Sequence, residues 1–237
     1  MKRINTLIIA MMAFLVTACD KNDDNDKTVL PQYVDLGLSV KWATFNVGAS
    51  NPQEYGDYFS WGETETKLHY YWSSYKYAHV NNKGADEEPF VTKYCTDSLY
   101  GYNSLLDSIC YLDPDDDVAH IQWGGSWRMP TSDEFEELFD TVQFTKIRKD
   151  TVNNVIGIRI TSKVDGYTDN SIFLPFAGYK GASSPFNTDK NGNYWTSSLN
   201  TDEPTYAVDA IINAEGDYEL SESAPRYLGY SVRPVCP

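Results

Sequence analysis

Positive charge is scarce in this chain. Nineteen Lys and Arg stand against thirty-four Asp and Glu in 237 residues, a formal net charge of −15. So acidic a protein repels phosphate backbones, which makes nucleic acid a poor partner. Histidine is scarcer still: His69, His79 and His120 are scattered without metal-ligand spacing. The motifs HExxH, GxSxG, GxxxxGKS/T and CxxC are all missing. No pair of acids is nominated for glycoside hydrolysis either, so the expectation is a protein that is not an enzyme. After the N-terminus no long apolar run recurs, so no transmembrane helix is expected. No Pro-rich or Gly/Ser-rich linker follows residue 30, which points to a single domain over 31–237.

What the N-terminus does hold is organised. Lys2 and Arg3 precede an uninterrupted apolar run over residues 7–16. That run is shorter than the roughly 20 residues a permanent span needs, so residues 1–18 read as a cleaved signal peptide. Val16-Thr17-Ala18-Cys19 resembles the lipobox of bacterial lipoproteins. The resemblance implies cleavage before Cys19 and lipidation of its sulfur, making membrane lipid a partner through that residue. Residues 19–30 continue as Asp20-Lys21-Asn22-Asp23-Asp24-Asn25-Asp26-Lys27, too polar to order itself, and read as a flexible acidic tether. Such an acidic run also resembles the signal that sends Bacteroidota lipoproteins to the outer face of the outer membrane; a merely solvated linker has the same composition.

Beyond the tether, the firmest local signal is Thr131-Ser132-Asp133-Glu134, a capping box opening a helix whose Phe135, Leu138 and Phe139 fall on one face. Asp133, Glu134, Glu136 and Glu137 suit the positive end of its dipole. A shorter helix is expected over 116–123. Alternation predicts strands around Val40 and Trp42, at Ile156, Ile158 and Ile160, at 171–175, at 194–198, across Tyr206, Val208, Ala210 and Ile212, and at 231–235. A short aromatic strand is also expected over 55–62. Helices ahead of a run of antiparallel strands make an α+β domain.

Several segments invite a chemical reading, each with a plainer one beside it. Asp113, Asp115, Asp116 and Asp117 cluster four carboxylates, which suits a Ca²⁺ site, or else Asp115 or Asp116 caps the helix that follows. Tyr70, Tyr71, Trp72, Tyr75 and Tyr77 form the densest aromatic stretch, either a ligand-binding surface or a satellite core beneath a long loop. The loop 187–193 partly matches a Ca²⁺ loop, but Asn187 opens it and Ser198 stands where a Glu is required, so a polar turn fits better. In Trp123-Gly124-Gly125-Ser126-Trp127-Arg128 the glycines turn the chain and the Trp pair fills the core. Cys95–Cys110 is the shortest available bridge among Cys95, Cys110 and Cys236; three free thiols are the alternative.

A set of phrases in fixed order resembles one family. They include Tyr33-Val34-Asp35-Leu36-Gly37-Leu38-Ser39-Val40-Lys41-Trp42-Ala43, Trp61-Gly62-Glu63 and Lys93-Tyr94-Cys95. Trp123-Gly124-Gly125-Ser126-Trp127-Arg128-Met129-Pro130-Thr131 and Phe173-Leu174-Pro175-Phe176-Ala177-Gly178-Tyr179 follow. Tyr194-Trp195-Thr196-Ser197-Ser198 and Gly229-Tyr230-Ser231-Val232-Arg233-Pro234-Val235 complete the set. Together they resemble the Fibrobacter succinogenes major paralogous domain, a group common in Bacteroidota lipoproteins. A departure is Val142 and Phe144, where that family often has Cys and Trp. The resemblance implies a C-type-lectin-like fold: a twisted antiparallel sheet flanked by two helices, with neighbouring termini. It implies no ligand or cofactor, because fold does not fix function. The expectation is an outer-membrane, cell-surface lipoprotein acting as a binding or adhesion module for a glycan or protein. An accessory role in an outer-membrane complex is the alternative.

Overall fold

The computed structural model describes residues 31–81 and 89–237; the expected signal peptide, Cys19 and the acidic tether lie outside the described residues. The described chain is β-rich, with thirteen strands and two α-helices. In chain order the strands are β1 (Tyr33–Val34), β2 (Lys41–Ala43), β3 (Ala78–His79), β4 (Phe90–Val91), β5 (Thr145–Val152), β6 (Val155–Ser162) and β7 (Ser171–Pro175). They continue as β8 (Tyr179–Gly181), β9 (Ser184–Phe186), β10 (Gly192–Leu199), β11 (Tyr206–Ile212), β12 (Tyr218–Pro225) and β13 (Val235–Cys236). The helices are α1 (Val118–Trp123) and α2 (Ser132–Phe139).

The strands divide into three three-stranded antiparallel sheets, β1-β2-β13, β5-β6-β7 and β10-β11-β12, and the hairpins β3-β4 and β8-β9. Isolated bridges such as Phe59↔Tyr230 and Tyr194↔Ser231 stitch these pieces together. The aromatic strand expected over 55–62 is reduced to that one Phe59 bridge. In the first sheet β2 pairs with both β1 and β13, so the first and last strands of the described chain flank one central strand. Gly178 allows one of the tight joins between pieces. Its φ is +62°, and an added Cβ would sit 1.9 Å from the Phe186 carbonyl, so a side chain is excluded there.

Helix α2 forms as its sequence dictates. Thr131 Oγ1 accepts from the Glu134 amide at 3.3 Å, and Glu134 Oε2 accepts from the Thr131 amide at 2.9 Å. Phe135, Leu138 and Phe139 are buried against β10, β11 and β12. For α1 the cap falls one residue later than expected. Pro114–Asp116 first closes a 3₁₀ turn, so Asp117 becomes the N-cap and its Oδ1 accepts from Ala119 and His120. Its other oxygen accepts from the Met129 amide at 2.7 Å.

Two apolar clusters fill the interior. Trp42, Phe135, Leu138, Ile158, Ile160, Leu174, Tyr194 and Ile212 belong to one, beneath α2. Phe59, Trp61, Tyr75, Tyr77, Tyr94, Trp195 and Tyr230 belong to the other. Two arginines are fully buried among them. Arg233 donates to Asn46 Oδ1, Ala43 O and Phe173 O, and burial among these neutral acceptors lowers it to about 10. Arg226 donates to Tyr75 Oη and to the carbonyls of Tyr94, Pro204 and Lys93. Its guanidinium lies 4.8 Å from the Trp61 ring centroid, so cation–π attraction replaces part of its lost hydration. Removing a donor set of this kind would orphan several buried carbonyls at once.

Candidate functional site

The aromatic stretch is core, not surface. Tyr70, Tyr75 and Tyr77 are 1 %, 4 % and 8 % exposed, Trp72 is half-buried, and only Tyr71, at 45 %, opens to solvent. The ligand-binding surface expected from these five residues is therefore not formed. The physical reason lies in their hydroxyls, which find acceptors inside the molecule. Tyr70 Oη donates to Tyr58 O at 2.6 Å, Tyr75 Oη to Trp61 O at 2.7 Å, and Tyr77 Oη to Asp116 Oδ1.

The acidic cluster at 113–117 is likewise absorbed into structure. Asp116 is buried and accepts from Lys76 at 2.9 Å, Lys93 at 2.7 Å, Tyr94 at 2.6 Å and Tyr77. Burial works against its charge, but these four donors outweigh burial and hold the carboxyl well below the usual range. Burial first, and then the neighbouring Asp116, push the Tyr77 and Tyr94 phenols up. Asp113 pairs with Lys93 at 2.5 Å, Asp117 caps α1, and Asp115 stays on the surface. Among the described residues no three His, Cys, Asp or Glu side chains are grouped to hold a metal, so Asp113, Asp115, Asp116 and Asp117 do not assemble a Ca²⁺ ligand set.

The Cys95–Cys110 bridge is not formed. Cys95 is buried with its Sγ 3.0 Å from Asp97 O, whereas the partly exposed Cys110 faces Ser108 O; Cys236 is also free and buried. In the 187–193 loop, Asn187 and Asp189 adopt left-handed backbone and the amides of Lys190 and Asn191 bond back to Asn187 O, a polar turn. Gly124 and Gly125, with φ of +68° and +59°, turn the chain so that the half-buried Trp123 and Trp127 meet edge to face at 5.1 Å.

A different feature remains open. Between α2 and β12 lies a groove of about 530 Å³, lined by Asp133, Glu136, Glu137, Phe139, Asp140, Tyr218, Glu219 and Leu220. Its floor is apolar: the Phe139 and Tyr218 rings lie 4.8 Å apart, and Tyr218 Oη is 3.0 Å from Thr141 Oγ1. Five acidic residues line it: Asp133, Glu136 and Glu137 from α2, Asp140 at its C-cap, and Glu219, whose side chain alternates to the other face of β12. Positions 133, 136, 137 and 140 are spaced i, i+3, i+4 and i+7, so one helical face presents them all. None of the five forms an ion pair among the described residues.

Two of these acids have internal duties. Glu137 accepts from the Ser39 amide and hydroxyl, and Asp140 Oδ1 accepts from the amides of Val142 and Gln143. Asp133, Glu136 and Glu219 face solvent. The arrangement opposes helix stability twice. Like charges at these spacings repel, and Glu137, expected at the positive end of the dipole, sits with Asp140 at the negative end of a helix only eight residues long whose last turn holds no basic residue. Chemically, the groove offers an apolar contact surface beside anionic acceptors, which suits a cationic group attached to an apolar body. The acid spacing on α2 is written in the sequence. The contribution of β12 is not, because nothing in 218–225 marks it as a strand.

No family model matches the chain, and no curated protein or solved structure similar to it is found.

Proposed function

We propose that this protein is a lipid-anchored binding or adhesion module, held at the outer membrane through Cys19, that docks a glycan or protein ligand in the α2–β12 groove. In this reading the domain is C-type-lectin-like and non-catalytic. A β-rich body with two α-helices, whose first and last strands share a sheet, accords with that architecture. The observation that carries the reading is the groove itself. Two solvent-facing carboxylates of α2, Asp133 and Glu136, stand three residues apart beside an apolar floor without an internal counter-ion, where they repel each other. Charge held against the interest of local stability has its use outside the molecule.

The anchor and the site are tested separately. Grown with labelled palmitate, the protein should carry label that Cys19→Ala lacks; an unlabelled parent protein would refute the lipid anchor. The purified protein and an Asp133→Lys/Glu136→Lys variant are then compared on one array of glycans, mucins and polypeptides. Binding that the variant loses supports the groove. Equal binding by both, or binding to nothing on the array, overturns the reading.

A further inference from the structure

The groove has a property that its charge does not explain: one wall is an unpaired sheet edge. Strand β12 pairs with β11 only, and among the described residues no strand lies on its other side. The hairpin register says which backbone groups point that way. Asn213 N donates to Asp217 O at 2.9 Å, so this pair is hydrogen-bonded across the hairpin. Hydrogen-bonded and non-hydrogen-bonded pairs alternate along an antiparallel ladder. Ile212↔Tyr218 and Ala210↔Leu220 are therefore the non-bonded pairs, and Tyr218 and Leu220 direct their N–H and C=O groups outward. These same two residues line the groove.

We propose that the edge of β12 takes an extended, basic segment of a partner polypeptide as an added strand. The inference rests on the binding-module reading and narrows its ligand from glycan or protein to polypeptide. Main-chain pairing with Tyr218 and Leu220 supplies affinity without regard to sequence, while alternate side chains of the added strand supply selectivity. Those on the helix side reach Phe139, Tyr218 and Leu220, with the carboxylates of Asp133 and Glu136 beside them, while Glu219 alternates to the other face of β12. An aliphatic side chain on the floor and a Lys or Arg at the rim satisfy both chemistries. The rim acids also reject acidic strands, a second copy of this strongly acidic chain among them. An open edge is ordinarily blunted by lysine, by a bulge or by a covering element; here the register shift against β11 falls after Ser221, so over 218–221 the edge is guarded only by the like charge of Glu219.

The test uses the purified protein and an octapeptide of alternating Lys and Val, acetylated and amidated at its ends. Two controls keep the charge and remove the pairing: the same peptide N-methylated at alternate residues, and spermine. The Lys-Val peptide should bind at least about tenfold more tightly than either control, and should slow hydrogen exchange at the Tyr218 and Leu220 amides. Asp133→Lys/Glu136→Lys should weaken it by about tenfold or more. Equal binding by spermine or by the methylated peptide, no binding by the Lys-Val peptide, or unchanged exchange at Tyr218 and Leu220 would overturn the inference. An array ligand that leaves those two amides unprotected would sink the added strand while leaving the binding module standing. An array with no ligand would remove the module itself.

Discussion

Asp209 sits in the middle strand of the β10-β11-β12 sheet with no solvent exposure. Its Oδ2 receives a 3.3 Å bond from Asn193 Nδ2, but its Oδ1 and the Asn193 Oδ1 are both buried without a partner. Protonating Asp209 removes the buried charge and turns one of its oxygens into a donor. Burial, only partly offset by the hydrogen bonds of Asn193 and Ser221, raises this carboxyl from 3.8 to about 7. The consequence for stability has a definite sign. Between about pH 4 and pH 7 the folded protein holds a proton that the unfolded chain has lost, so stability falls as pH rises through that window. That difference corresponds to about 4 kcal/mol, fully lost above pH 7. Asp209→Asn keeps the shape of the protonated acid, carries a donor, and does not titrate. Urea unfolding followed by Trp fluorescence should give similar stabilities for the two proteins near pH 4. They should diverge by up to about 4 kcal/mol at pH 8, with the variant the more stable. Parallel pH profiles, or a variant weaker than the parent at pH 8, would refute the neutral-acid reasoning.

Asp116→Asn removes the counter-charge of Lys76 and Lys93 and weakens the acceptor shared by Tyr77 and Tyr94. Because Lys76 is half-exposed, the expected loss is about 2 kcal/mol, below that of a fully buried pair, and an unchanged urea midpoint would contradict the network. Thr131→Ala removes one arm of the α2 capping box and should cost about 1 kcal/mol, measured the same way. With Cys95 and Cys236 buried, iodoacetamide applied to the native protein should label Cys110 first among the three, read by peptide mass spectrometry. A Cys95–Cys110 linked peptide in the same digest would contradict the free thiols.

The parts of this fold that were legible in advance are those specified locally. The α2 helix is written in four consecutive residues and an apolar stripe, and β6, β7, β10 and β11 carry apolar or alternating runs that survive burial on a sheet face. The two long strands that went unread, β5 and β12, are both edge strands. Each mixes polar and charged residues into its pattern, as Lys146, Arg148 and Lys149 do in β5 and Glu219 and Glu222 in β12. β7 and β10 are outer strands too but are buried along nearly their whole length, whereas β5 and β12 have a wetted side that blurs their alternation. For β5 a turn signal was present: Asn153 and Asn154, with φ of 48° and 68°, form the two-residue hairpin loop that joins it to β6. The 69–77 aromatics were ambiguous because a tyrosine ring suits a core and a surface equally. What decides between them is an acceptor for the hydroxyl, and Tyr58 O, Trp61 O and Asp116 come from distant segments. The same distance hid the fate of the acidic cluster, whose Asp116 is claimed by donors at residues 76, 77, 93 and 94.

The claim that a ligand seats between α2 and β12 can be put to a direct measurement. Benzoylphenylalanine is placed at Glu136 on the groove rim and, in a second variant, at Lys149 on the exposed side of β5. Each is irradiated with a ligand that the array has identified. A covalent adduct at position 136 and none at 149 is the expected result. An adduct at 149 alone, or at neither position under conditions where the ligand is bound, would contradict the groove as the binding site.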